Sequence, residues 1–544
     1  MIKIFLSQKS TTVGDIEGNF EILKESFKKA EFNNCDLFLT TELSLTGYPP
    51  QDLLFRKDFF KKIEIFKRKI IKITRNSKTI FALSVPQYEK KKIINSLLLI
   101  QSGAIIYKLQ KSELPNYGVF DEKRYFTTSK KEPKTFKYKK KNIKFLVCED
   151  MWSEDFFQKK KSRNVDLIIV INASPFEIGK FELRKKIAKK RAIHYKANLI
   201  YLNLVGSQDD LIFDGGSFFM NKLGQIISQA SFFEESEEII NLLEEKPKKR
   251  SYPKINESEK LYRALMISLR HYMKKNNFMS ILLGLSGGID SALSLCVAAD
   301  AVGSDNVFAF FLPTIYTSEK SRKDAYQLSR NIGVRIQEIP IEKLRQYIGK
   351  ELNPLFKNYQ EDITEENIQS RLRGLILMAL SNKFDSLLLT TGNKSELAVG
   401  YATLYGDMCG GFSLLKDVYK TKVFELCKWR NKNLTDQFLV KKLNIIPEQI
   451  IRKEPTAELR FNQKDSDSLP PYNILDEILD LLIDQNLDLR SIIKRGFDKK
   501  TVKNIWMMIK NSEFKRYQSA IGPKITRMSF AGDRRFPLTN KFEI

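Results

Sequence analysis

The stretch ILLGLSGGIDSALSL, residues 281–295, constrains this chain more tightly than any other. Ile281 to Leu285 form an apolar run of the kind that becomes a fully buried strand. Ser286-Gly287-Gly288 then turn the chain, and Ile289-Asp290-Ser291 open a segment with helical spacing of apolar residues. A strand, a glycine turn and a helix start in succession make an anion site. Glycine lets backbone N–H groups approach a phosphate closely, and the helix N-terminus adds partial positive charge. Ser286 and Ser291 can donate hydrogen bonds to phosphate oxygens. Asp290 cannot bind phosphate directly, so its expected task is to hold a metal ion that does. The GK[ST] ending of the Walker loop is missing.

The segments around this loop alternate. A helix from Glu257 leads into it, followed by a helix over Ala292–Val302, the strand VFAFFLP, a helix over Ser318–Ile332 and the strand VRIQEIPI. A helix over Asn367–Ser381 precedes the strand SLLLTTG. Strands and helices in this rhythm predict a doubly wound parallel sheet covered on both faces. Ligands in such sheets bind beyond the carboxyl ends of the strands. The glycine loop lies at one such end and TTGNKSELAVGYATLYGD at another. There Thr390 and Thr391 can hydrogen-bond a nucleotide, and Glu396 is placed to share a magnesium ion with Asp290.

Residues 1 to about 245 also alternate, with strand-like runs IKIFLSQ, CDLFLTTEL, TIFALSVPQ, INSLLLI, IKFLVCEDMW, DLIIVINAS and NLIYLNLVG and helical segments such as Ile16–Ala30. The pattern predicts a second α/β layer architecture. GSQDDLIFDGGSFFMNKLG reads as a hairpin and turn region. Glu42, Lys111 and Cys148 stand at or near strand ends, where catalytic groups are commonly presented. A cysteine attacks an amide well only as thiolate. A neighbouring carboxylate can take its proton, and a lysine can stabilise the oxyanion of the tetrahedral intermediate. Such a set needs no imidazole, which suits a chain with two histidines, His194 and His271.

Two resemblances follow from these strings. SGGIDS resembles the pyrophosphate loop of N-type ATP pyrophosphatases, which activate a carboxylate or carbonyl as an adenylate. TELSLTGYPP, KSELPNYGVFDE and CEDMW, in this order, resemble the Glu–Lys–Cys amidases of the nitrilase superfamily, and more narrowly the glutaminase domain of glutamine-dependent NAD synthetases. TTGNKSE with GYATLYGD, TEENIQSRLRG, PTAELRFNQKDSDSLPPY and GPKITRMSFAGDRRFPLTN extend that resemblance over nearly the whole chain. It implies a nitrilase-like α-β-β-α sandwich over residues 1–247 and an adenine nucleotide α-hydrolase-like domain over 248–544. It implies Glu42 as general base, Lys111 as oxyanion lysine, Cys148 as nucleophile and Glu122 as a supporting glutamate. Tyr117, Ser174 and Lys180 match positions that bind glutamine. Gly284, Leu285, Ser286, Gly287, Gly288, Ile289, Asp290, Ser291, Thr391 and Thr456 match the ATP site. Asn367, Glu396 and Lys524 match contacts to deamido-NAD, and Asp290 and Glu396 the magnesium ligands. Asp417 and Lys420 lie in a further matching segment. RMSFAGDRR and the residues after LR in LRFNQKDSD depart from the usual pattern.

The implied reaction adenylates deamido-NAD with ATP and magnesium and amidates it with ammonia released from glutamine. Free ammonia in neutral water is mostly ammonium and no nucleophile, so an enclosed path for it is expected. The resemblance also implies a homo-oligomer. A net charge of +27 is spread along the whole chain with many Ile, Asn and Phe. It is therefore read as compositional bias and not as a nucleic-acid patch. The five cysteines include no CxxC pair, which disfavours a zinc site, a disulfide framework and the thiolating tRNA enzymes. GMP- or asparagine-synthetase-like chains share only SGGIDS, and a non-catalytic relative is disfavoured by the intact Glu42, Lys111 and Cys148 set. No apolar run reaches membrane length and MIKIFLSQKS lacks signal-peptide features, so a cytoplasmic enzyme is expected. The linker is expected within FFEESEEIINLLEEKPKKRSYPKINESEK, where an acidic run gives way to a basic one.

Overall fold

The computed structural model describes residues 2–128, 134–154, 164–243 and 255–542. The chain divides into two compact units, Met1–Ile255 and Asn256–Ile544. The boundary expected at 247/248 lies outside the described residues.

The first unit holds two six-stranded sheets. One contains β1 (Lys3–Gln8), β2 (Leu37–Leu39), β3 (Ile80–Glu89), β4 (Lys92–Gln101) and β5 (Ala104–Gln110). The other contains β6 (Phe136–Tyr138), β7 (Lys141–Val147), β8 (Leu167–Asn172) and β9 (Asn198–Asn203). A hairpin of β10 (Val205–Gln208) and β11 (Leu211–Asp214) follows, as the sequence suggests. β12 (Phe218–Met220) and β13 (Ile226–Gln229) complete the second sheet, and β14 (Ser236–Asn241) returns to pair with β1. Alternating residues point each sheet's apolar side at the other. Ile4, Leu6, Leu37, Leu39, Leu97 and Leu99 share a core with Ile143, Phe145, Leu167, Ile169 and Ile200. Helices Ile16–Phe32 and Lys57–Ile73 cover the outer face of the first sheet through Phe20, Phe27, Phe66 and Ile70. Helix Lys180–Tyr195 covers the second, its Phe181 ring set edge-on against Phe218 and Phe232. The result is the α-β-β-α sandwich.

CDLFLTTEL is only partly strand. The ladder stops at Leu39 because the chain turns to local bonds: Thr40 Oγ1 donates to Ala82 O at 2.8 Å, Ser84 Oγ accepts from Leu43 N at 2.9 Å, and Leu43 takes a φ of 49°. That turn buries Glu42 completely.

The second unit is built on a wholly parallel five-stranded sheet. Its strands are β15 (Ile281–Gly284), β16 (Val307–Phe311), β17 (Arg335–Glu338), β18 (Leu387–Thr390) and β19 (Phe412–Ser413), in the order β17-β16-β15-β18-β19. The order reverses direction between β15 and β18, and this switch point opens a crevice at the strand ends. Both the glycine loop and Thr390-Thr391 emerge there. The helix expected from Asn367 starts earlier and runs Ile363–Phe384, because Asp362 and Glu365 close a capping box at its start. Beyond the sheet, helices Tyr472–Leu479, Leu489–Ile493 and Lys499–Asn511 form a helical core around helix Lys394–Val399. Among the described residues no helix is long and apolar enough to cross a membrane.

Candidate active sites

In the first unit, Lys111 follows β5 and Cys148 follows β7, while Glu42 follows β2. The three meet in the interior. Lys111 Nζ donates to Glu42 Oε1 at 2.8 Å and to both oxygens of Glu122 at 2.8 Å. Tyr48 donates to Glu122 Oε1 at 2.9 Å, and Asn95 Nδ2 to Glu42 Oε1 at 2.8 Å. Glu42 Oε2 is shielded from solvent and has no hydrogen-bond partner among the described residues. Burial opposes charge on Lys111, yet the Glu122 and Glu42 carboxylates hold it protonated well above the usual lysine range. Burial pushes the Glu122 carboxyl up to about 7, against the pull of Lys111. Burial, reinforced by the charge of Glu42, raises the Cys148 thiol well above its usual range, and Lys111 opposes this. Cys148 therefore rests as a thiol, with a fixed cation and a carboxylate beside it. Its φ of 44° lies in the left-handed region, a strained setting typical of functional turns.

Tyr117 donates to Glu149 Oε2 at 3.0 Å. Lys180 Nζ lies 5.0 Å from the centre of the Trp152 ring, and burial lowers its affinity for a proton. Ser174 is engaged from behind: its Oγ accepts from Arg184 Nε at 3.1 Å and its carbonyl from Arg184 Nη2 at 2.8 Å. Arg184 is fully buried against Asp214 at 2.7 Å. The sequence reading missed this pair, because it joins a helix to a hairpin strand and neither string carries a motif.

In the second unit, Gly284, Leu285, Ser286, Gly288, Ile289, Asp290, Ser291, Thr391, Glu396 and Thr456 all line one cavity of about 280 Å³. The loop is knit by its serines: Ser286 Oγ lies 3.1 Å from Ser291 Oγ and accepts from Gly288 N at 3.2 Å. Gly287 has φ 77°, and a Cβ there would stand 2.4 Å from Ser321 O. Asp290 and Glu396 converge on Lys420, whose Nζ donates to them at 2.5 and 2.9 Å. Asn393 Nδ2 also donates to Asp290, at 2.9 Å. Burial pushes the Glu396 carboxyl up to about 7, with Lys420 opposing. Arg373 lines the same cavity, an unforeseen cation whose Nε donates to Leu312 O at 3.0 Å.

Gly287, Asn367 and Lys524 are not among the residues lining this cavity. Asn367 Oδ1 accepts from Thr403 Oγ1 at 2.8 Å. Lys524 is buried, donating to Arg527 O at 2.9 Å and pairing with Asp533 at 3.0 Å. Asp417 accepts from Ile525 N and Thr526 N at 2.7 Å and pairs with the buried Lys394 at 3.0 Å, tying the C-terminal segment to the helix that carries Glu396. Among the described residues no three or more His, Cys, Asp or Glu side chains are grouped to hold a metal.

A buried Glu–Lys–Cys set on a four-layer sandwich and a glycine-loop nucleotide cavity at a sheet switch point define a two-domain amide-transfer enzyme. The domain comparisons agree: residues 4–242 match the carbon-nitrogen hydrolase family model and residues 261–519 the NAD synthase model. A glutamine-dependent NAD(+) synthetase of Acinetobacter baylyi is 42% identical, covering 99% of this chain and 98% of its own. One from Thermotoga maritima is 40% identical, covering 100% and 99%. The solved structure of the Acinetobacter baumannii glutamine-dependent NAD+ synthetase in complex with ADP has a TM-score of 0.79 at 39% identity, covering 99% of this chain and 98% of that one. The chain belongs to the glutamine-dependent NAD(+) synthetases.

Proposed function

We infer that the chain converts deamido-NAD to NAD with nitrogen taken from glutamine, using ATP and releasing AMP, pyrophosphate and glutamate. The observation that carries this is the presence of two separate sites, one for amide cleavage and one for nucleotide, in a chain that matches synthetases of that name from end to end.

In the first unit the free oxygen of Glu42 takes the Cys148 proton as sulfur attacks the glutamine side-chain carbonyl. Lys111 holds the oxyanion. The carbon–nitrogen bond breaks, Glu42 returns the proton to the leaving nitrogen, and ammonia departs from a thioester on Cys148. Water then attacks the thioester as Glu42 takes its proton, the carbon–sulfur bond breaks, Glu42 returns the proton to the Cys148 sulfur and glutamate leaves. Because burial keeps the thiol protonated at rest, base and nucleophile act together, and the pre-set donor at the oxyanion supplies about 3 kcal/mol or more. Tyr117, Ser174 and Lys180 are the glutamine-binding residues of this reading.

In the second unit Ser286, Gly288 and Ser291 cradle the ATP phosphates, with Thr391 and Thr456 as further contacts. The nicotinate carboxylate attacks the α-phosphorus and pyrophosphate leaves. Ammonia displaces AMP from the adenylate. Asn367, Glu396 and Lys524 are the proposed deamido-NAD contacts. Two carboxylates already paired with one cation form an all-oxygen donor set that suits magnesium completed by phosphates and water. Asp290 and Glu396 are the proposed ligands, and the ion would offset charge developing on the phosphates. The five unpaired cysteines support a reducing compartment, and we place the enzyme in the cytoplasm.

The test is NAD formation from deamido-NAD, ATP and magnesium with either glutamine or ammonium. Cys148→Ala is expected to abolish synthesis from glutamine and retain synthesis from ammonium. Wild type that makes no NAD from either nitrogen source would refute the reading, and a variant still using glutamine would refute Cys148 as nucleophile.

A further inference from the structure

Asp150 is completely buried and touches both segments that bring Lys111 and Cys148 together. Its Oδ1 accepts from Ser112 N at 3.0 Å and Glu113 N at 2.8 Å, the two residues after Lys111. Its Oδ2 accepts from Val147 N at 3.1 Å, the residue before Cys148. These partners are backbone groups from opposite sheets of the sandwich: Ser112 follows β5 of the first sheet, and Val147 ends β7 of the second. Apolar packing between two sheets fixes their spacing but resists small sliding poorly, since dispersion contacts are non-directional. Hydrogen bonds to an ionised carboxylate are short and directional. Enclosing a carboxylate is costly, and burial indeed pushes Asp150 up to about 6 against the three N–H groups that favour its charge. A cost carried at this point, beside a nucleophile with a left-handed backbone, needs a return.

We propose that Asp150 is a positioning residue for the glutaminase reaction: by tying Ser112, Glu113 and Val147 to one carboxylate it sets the Lys111 ammonium against the Cys148 sulfur. Its effect falls on turnover more than on affinity. The groups proposed to hold glutamine come largely from other segments, with Ser174 anchored by Arg184 and Lys180 at its own helix start. A misplacement of about 1 Å between reacting groups costs roughly a hundredfold in rate. The inference rests on the glutaminase reading above.

The experiment compares full-length wild type and Asp150→Asn, which keeps the shape and one acceptor oxygen but turns a donor toward the Val147 N–H. Expected is a fall in kcat for glutamine hydrolysis of at least about tenfold, up to about a hundredfold. KM for glutamine should stay within about threefold and ammonium-driven synthesis unchanged, with Asp150→Glu intermediate. An unchanged kcat, or a loss confined to KM, overturns the proposal. If Asp150→Asn loses ammonium-driven synthesis too, the chain has not folded, and Asp150→Glu decides by the same split between kcat and KM. Wild type that hydrolyses no glutamine overturns the glutaminase reading itself.

Discussion

Lys111 neutralises one charge but faces two buried carboxylates, and the imbalance falls on Glu122. Its ordinary value of 4.5 is raised to about 7, chiefly by burial. Between those two values the folded chain holds a proton that the unfolded chain has released. By linkage this contribution to stability is full below about pH 4.5 and is lost as the pH rises through 7. Glu122→Gln mimics the protonated acid and has no such dependence. Thermal midpoints of the two proteins should therefore diverge in the variant's favour between pH 5 and pH 8. Parallel midpoints across that range would place the proton elsewhere.

The glycine loop is the element on which the nucleotide site depends. At Gly287 a side chain meets backbone, not a movable neighbour, and φ is already positive. Gly287→Ala should cost about 1–3 kcal/mol of stability. It should also weaken ATP binding, raising KM for ATP by about tenfold or more, since displaced N–H groups no longer converge on phosphate. Glutamine hydrolysis measured alone should hardly change, and an unaltered KM for ATP would show that the loop tolerates the Cβ. This element was legible in the sequence, because strand, turn and helix are contiguous and each announces itself by local pattern. Glu42, Lys111 and Cys148 were singled out by the strings around them and the resemblance those carry, and the structure sets Lys111 against Glu42. What stayed hidden is contact between distant segments. Lys420 meets Asp290 across 130 positions, and Asp150 meets Ser112 across 38. Apolar periodicity carries no trace of such meetings. The end of β2 was hidden too, because side-chain bonds at Thr40 and Ser84 outcompete the ladder that β-branched residues favour.

For the whole molecule, the question is whether ammonia made in one unit reaches the other before it is protonated by bulk water. With unlabelled glutamine and ¹⁵N-ammonium supplied together, NAD should carry mostly glutamine's nitrogen. Label in proportion to the free ammonium would count against direct handover. The nucleotide unit has a property of its own that follows from Lys420. Its ammonium already lies between Asp290 and Glu396, so the site brings its resting counter-ion along with the chain. The tethered ammonium thus lets two acids from distant segments settle side by side as the unit folds.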